Sequence, residues 1–250
     1  MRFFILGYGL FAYLGFHASF VYLIAFLANL LVPTTVAAGG PQSGLATSVL
    51  INVGLITLFG VQHGVMARQP FKRWLRTLVP PAIERSTFVL ATVAVLALLY
   101  WQWRPLPDVV WQLDGVLATV AWSVFGLGWL IAVLSTFLID HFELFGVKQT
   151  IAAFRGRAFE PPRFAEKGFY RYMRHPLMFG MLLSFWSVPT MTVGGLVFAA
   201  TYTVYILIAL QIEERDLLSA HGPDYASYQR RVPMLLPLPR RSPTPVENTI

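Results

Sequence analysis

Residues 177–212 read LMFGMLLSFWSVPTMTVGGLVFAATYTVYILIALQI, an apolar run without one Asp, Glu, Lys, Arg or His. A helix crosses the hydrocarbon of a membrane in roughly 20 residues, so this run is too long for a single straight passage. Pro189 and the Gly194-Gly195 pair interrupt it, and both residue types disfavour a helix interior. The run therefore predicts a helix, a turn and a returning helix: a hairpin of two short arms that starts and finishes at the same face.

Four more apolar stretches lie upstream, from Phe3 to Leu31, Leu45 to Met66, Ser86 to Trp103 and Gly115 to Ile139, each long enough to cross once. Only 12% of the 250 residues are charged, about half the share usual in a soluble domain. The expected fold is all-α: a polytopic integral membrane protein with four full transmembrane helices plus the C-terminal hairpin, five to six membrane helices in all. The first stretch is too long, and lacks the small-residue cleavage pattern, to read as a signal peptide. No spacing repeats along the chain. With no cysteine, disulfides, cysteine metal sites and cysteine nucleophiles are excluded.

Lys and Arg collect in cytoplasmic loops. If the N-terminus lies on one face, side A, then of the 19 basic residues only Arg104 falls on the opposite face, side B. Side A is thus expected to be cytoplasmic, with both termini there, in a bacterial-type inner or plasma membrane. The net charge of +7 reads as a topogenic and lipid-headgroup feature, and no nucleic-acid partner is expected. Trp101, Trp103, Trp111 and Trp122 fit an aromatic belt at side B, and the loop from Arg104 to Asp114 reads as a plain connection.

Ionisable groups at headgroup depth are costly and usually functional, and here they gather on side A. Gln62 and His63 close the second crossing, and Asp140, His141 and Glu143 close the fourth. Arg174, His175 and Pro176 stand at the mouth of the hairpin, and Glu213, Glu214, Arg215 and Asp216 at its exit. Each has an ordinary reading: a His or Gln bonded to a neighbouring helix, Asp140 or Glu143 paired with Lys148, a solvated helix end. His17 reads as a helix–helix hydrogen bond. Convergence on one face favours a site. His63, Asp140, His141 and Glu143 are metal-ligand types, yet no HExxH or comparable spacing joins them, so no metal is expected. The basic segment 145–174, broken by Pro161, Pro162 and Gly168, is expected to cap the membrane surface, and the tail 240–250 to be flexible.

Arg174-His175-Pro176 with Gly180, then Glu213-Glu214, Leu217, Gly222, Tyr225, Tyr228, Val232-Pro233 and Pro237, resemble the signature of the isoprenylcysteine carboxyl methyltransferases and phospholipid N-methyltransferases. Met178 and His221-Gly222 depart from that pattern. VQHGVMARQPFKRWLRTLVPPAIERSTFVL, GYGLFAYLGFHASFVYLIAFLAN and DHFELFGVKQ resemble the narrower methanethiol S-methyltransferase family along nearly the whole chain. The resemblance implies S-adenosyl-L-methionine as methyl donor and S-adenosyl-L-homocysteine as product. Arg174, His175, Pro176, Glu213 and Glu214 become cofactor contacts, with Tyr225 and Tyr228 as pocket or lid residues. Arg174 suits a carboxylate fork, and the acidic pair suits hydroxyls and an ammonium.

On this reading, residues 1–139 form the acceptor chamber and 140–239 the cofactor-binding region, hairpin 177–212 included. A small thiol acceptor reacts as its thiolate. His141 or His63 is the expected base, oriented by Asp140 or Gln62. The partners expected are a small thiol and the bilayer, with no obligate protein. Two alternatives stay open: methylation of an isoprenylcysteine carboxylate or a phospholipid amine, and a non-enzymatic transporter or assembly factor.

Overall fold

The computed structural model describes residues 1–160 and 166–237. Pro161, Pro162 and the tail 240–250 lie outside the described residues. Five helices are long and apolar enough to cross a membrane: α1 (Arg2–Ala28), α2 (Leu45–Met66), α4 (Glu84–Gln102), α5 (Gly115–Ile139) and α9 (Val193–Arg231). Short helices α3 (Gln69–Leu75), α6 (His141–Leu144), α7 (Val147–Phe154) and α8 (Pro176–Trp186) sit between them, with strands β1 (Val109–Gln112) and β2 (Thr190–Thr192). The chain is an all-helical integral membrane protein carrying one small ribbon.

The hairpin differs from its sequence reading in one respect. Its first arm, α8, is short, but Pro189, Gly194 and Gly195 all fall in or beside a single turn, so they leave α9 uninterrupted along its apolar length. The second arm is therefore a fifth full crossing. The turn reaches side B, where β2 pairs antiparallel with β1, Val109 opposite Thr192 and Gln112 opposite Thr190. The loop read as a plain connection thus anchors the hairpin tip, helped by Leu113 N–H to the Pro189 carbonyl at 2.9 Å and Gly194 N–H to the Leu106 carbonyl at 3.0 Å.

Trp103 leaves the predicted belt as well. It is fully buried, edge-on to Phe26 at 5.4 Å, and donates its indole N–H to the Val36 carbonyl at 3.4 Å. Together with Phe26, Phe198 and Phe185 it forms the core of the B-side half. Fully buried Asn52 closes the same end by hydrogen bonds both to and from the Arg104 backbone, at 2.7 and 2.9 Å.

Two contacts fix the frame of the A side. α5 and α8 run antiparallel in close approach: a Cβ on Gly180 would come within 2.5 Å of the Gly128 carbonyl oxygen. Small residues of this kind let membrane helices pack backbone to backbone. α2 and α9 run parallel, with Gly60 against the Tyr205 ring and Arg68 paired with Asp216. The basic cap is more deeply seated than expected, since α7 lies along the first turns of α1 with buried Thr150 beneath Gly9 and Phe154 edge-on to Phe3.

Candidate active site

Arg174 and His175 leave a surface loop just before Pro176 opens α8, a position that suits proline because its missing N–H would have no helical partner. Both backbone N–H groups bond the returning chain, Arg174 to the Pro233 carbonyl at 2.9 Å and His175 to that of Met234 at 3.1 Å. Their side chains turn inward and meet Glu214 of α9. One carboxylate oxygen accepts from Arg174 Nε at 2.7 Å, His175 Nε2 at 2.7 Å and the Tyr225 hydroxyl at 2.9 Å. The other accepts from Gln229 Nε2 at 2.5 Å.

Tyr225 reaches Glu214 because α9 breaks at Gly222, whose φ of 54° and ψ of −126° are open to glycine but disfavoured for other residues. In a straight helix, positions 11 apart would stand about 16 Å apart along the axis. Instead the segment after Gly222 folds back and carries Tyr225, Tyr228 and Gln229 onto Glu214. Arg174, His175 and Glu214 are all below 10% exposed, so the charges lie in a low-dielectric setting where an incomplete network would be costly. Here every oxygen of Glu214 is satisfied.

The internal network occupies much of Arg174, whose Nη1 also donates to the Gln229 and Val232 carbonyls at 3.1 and 2.5 Å. Tyr225 and Tyr228 are buried and packed edge-on at 5.7 Å, and the Tyr228 hydroxyl donates to the Tyr170 carbonyl at 2.6 Å. They brace the region from behind. Glu213 is half exposed beside this cluster, its carboxylate 4.0 Å from His175 Nδ1. A cleft of about 320 Å³ opens against the network, lined by Arg174, Gln211, Glu214, Arg215, Gln229 and Met234, among others. Its volume is at the small end of ligand sites, and a lining of both charge signs suits a zwitterion.

The predicted base residues divide into two groups around one aromatic cluster. His141 is buried, with Nδ1 2.8 Å from the Thr136 hydroxyl and Nε2 3.0 Å from that of Tyr13. Burial and nearby His17 hold its imidazole below the usual histidine range, against an opposing effect of Asp140. Asp140 itself caps α6 through the Glu143 N–H at 3.2 Å and pairs with Lys148, so Tyr13 and Thr136 orient His141 instead. His63 stacks on Phe59 at 5.4 Å and meets Phe88 at 4.9 Å. Its Nδ1 and the Gln62 Oε1 are buried and unbonded, while Gln62 Nε2 lies 3.1 Å from the Met66 sulfur. Phe88 and Phe145 share a cluster, and Phe145 touches His141 at 4.9 Å, so aromatic rings separate the two histidines.

Sequence reasoning missed Tyr13, Thr136 and Gln229. Gln229 sits one helical turn beyond Tyr225, a spacing that could have flagged it. Among the described residues no group of three or more His, Asp or Glu is placed to hold a metal. His17 bonds the Tyr13 carbonyl of its own helix at 2.8 Å.

Spanning helices that close an Arg-His-Pro segment over a paired-acid helix are what the resemblance to the membrane methyltransferases implies. Comparison with known proteins narrows the class. The chain matches the NnrU protein family over residues 51–228. It is 47% identical over 250 residues to methanethiol S-methyltransferase 2 of Bradyrhizobium diazoefficiens, covering 97% of this chain and 96% of that one. It is 48% identical over 243 residues to the methanethiol S-methyltransferase of Mycobacterium tuberculosis, covering 96% and 98%. Nurim of Sus scrofa is 28% identical over 202 residues, 72% of this chain and 76% of that one. No solved structure matches. The chain belongs to the NnrU family and, within it, to the methanethiol S-methyltransferases.

Proposed function

We propose that this protein transfers the methyl group of S-adenosyl-L-methionine to methanethiol, releasing dimethyl sulfide and S-adenosyl-L-homocysteine. The observation that carries the reading is the full-length similarity to methanethiol S-methyltransferases, joined to a buried Arg174–His175–Glu214 network beside a small polar cleft. S-adenosyl-L-methionine supplies an electrophilic methyl on a sulfonium. The chain supplies alignment, exclusion of water and a proton acceptor.

The donor's polar parts are held at the A-side mouth. Arg174, His175, Glu214, Tyr225 and Tyr228 act chiefly as a rigid frame, since they are bonded to one another and to the backbone. Gln211 and Arg215 are the more exposed groups of the cleft lining, with Glu213 exposed beside His175, and together they suit the ribose hydroxyls, the ammonium and the carboxylate. Pro176 sets the entry of α8 under the frame. The acceptor is held among helices α1, α2, α4 and α5, where Phe16, Phe88 and Phe145 make an apolar wall and His141 serves as the base. Adjacent residues of α5 serve both ends: Ser135 accepts from the Tyr170 hydroxyl at 3.5 Å, and Thr136 bonds His141.

Side A faces the cytoplasm, with the N- and C-termini there, in a bacterial-type inner or plasma membrane. The basic residues that frame the site favour this orientation, and it gives a cytosolic donor direct access. Protease accessibility in right-side-out and inverted vesicles checks it.

To test the activity, the purified protein is titrated calorimetrically with S-adenosyl-L-homocysteine and then offered methanethiol, an isoprenylcysteine and a phosphatidylethanolamine. Binding with turnover of methanethiol alone supports the reading. Turnover of a lipid acceptor instead, or no binding at all, removes it.

A further inference from the structure

The hydrogen bonds around His141 define which of its nitrogens carries the proton. Thr136 has one hydroxyl proton and donates it to the Val133 carbonyl at 2.7 Å. Its oxygen can then only accept from His141, 2.8 Å away, so Nδ1 is the protonated nitrogen. The basic lone pair of neutral His141 is therefore on Nε2, and at 3.0 Å it accepts from the Tyr13 hydroxyl. That bond closes a gap of 128 residues in sequence and covers the nitrogen that a thiol would need to reach. The titratable groups around the ring are Tyr13 and His17 of α1 and Asp140 on its own segment. Thr136 and Phe137 of α5 complete its surroundings. Among the described residues the Tyr13 hydroxyl bonds no other group, and its ring meets those of Phe142 and Phe145 at 6.1 and 6.2 Å. Such an aromatic surround suits a soft sulfur ligand.

We propose that Tyr13 is the proton relay of the methyl transfer, standing between the acceptor thiol and His141. The thiol S–H bond breaks and its proton goes to the Tyr13 oxygen while Tyr13 passes its own proton to His141 Nε2. The sulfur electron pair left behind forms the new C–S bond to the methyl carbon. The sulfonium C–S bond breaks, and its electrons stay on the sulfur of S-adenosyl-L-homocysteine. His141, now an imidazolium, returns the proton through Tyr13 to water when the products leave. Thr136 is a positioning residue: by accepting from Nδ1 it keeps the Nε2 lone pair aimed at Tyr13.

The relay rests on the thiol methyltransferase reading, and Tyr13→Phe in the full-length protein tests it. At neutral pH we expect kcat/KM for methanethiol to fall about 10²-fold, with unchanged affinity for S-adenosyl-L-homocysteine. The deficit should shrink about tenfold per unit of rising pH, because thiolate arriving from solution needs no relay. Thr136→Val should lower activity about tenfold or more, while Thr136→Ser restores it. Tyr13→Phe at the wild-type rate, or a loss that is the same at every pH, overturns the relay. If Tyr13→Phe does not fold, the Thr136 pair decides, and a fully active Thr136→Val overturns it. The levels of failure stay distinct. Wild-type protein that forms no dimethyl sulfide removes the activity itself, and a fully active His141→Ala removes the base. An inactive His141→Ala beside a fully active Tyr13→Phe removes only the relay.

Discussion

The two polar regions of side A are built in opposite ways. Around Glu214, four donors saturate one carboxylate and the cluster is closed by backbone bonds from Arg174 and His175. By contrast, the group around His63 on the neighbouring α2 leaves His63 Nδ1 and Gln62 Oε1 buried and unbonded, and His141 hangs on two hydroxyls. A saturated network rigidifies what it holds. Orphaned buried groups stand where a ligand or water is to be received. The contrast suits the proposed function, in which the first region holds the donor in place and the less saturated residues meet a small acceptor.

The largest effect should come from breaking the saturated side. Glu214→Ala leaves Arg174 buried without its carboxylate, which costs about 3–5 kcal/mol, read as a lowered unfolding midpoint in detergent together with loss of S-adenosyl-L-homocysteine binding. A midpoint like that of the wild type would show that the network does not hold the cap. Next in size, Gly180→Leu would drive a side chain into the Gly128 backbone and should cost about 1–3 kcal/mol or more. Its partner test is Ala132→Gly, which leaves that contact open and should be far milder.

On the open side, His141→Ala should keep the fold and donor binding while turnover falls roughly 10²-fold at neutral pH. The depressed pKa of His141 also carries a sign. The unfolded chain takes up the proton near the ordinary value of about 6.5, before the folded one does. Its contribution to stability is therefore present above that pH and is lost as pH falls through and below it. A wild-type unfolding midpoint that drops on acidification more than that of His141→Ala would show it. The smallest effect is expected from Arg68→Ala, because its partner Asp216 is 61% exposed, and such pairs contribute about 0–1 kcal/mol. A larger loss would mean that the α2–α9 register depends on this pair.

Much of the frame is legible in the chain. α2 and α5 have the same bounds as their apolar stretches, since a membrane leaves hydropathy as the dominant local signal. The Arg174–His175 and Glu213–Glu214 pairs could be placed together because one apolar hairpin joins them. The length of α9 was not legible: the run read as two short arms about one turn, but only the first arm is short, and the second crosses in full from a turn pinned by a strand from the loop after Trp103. Nor could Trp103 be told from its exposed neighbour Trp101, for both end the same helix and only packing separates them. The pairing of His141 with Tyr13 spans 128 residues, and Asp140, the obvious neighbour, is taken by Lys148. Sequence proximity marks candidates, whereas hydrogen-bond capacity decides partners.

One product tests the proposed activity most directly. Purified protein in lipid, given S-adenosyl-L-methionine labelled in its methyl group and methanethiol in a sealed vial, should release labelled dimethyl sulfide into the headspace, with S-adenosyl-L-homocysteine formed in equal amount. Label that appears only in lipid or protein, or a headspace no richer than that of the Glu214→Ala variant, would contradict it.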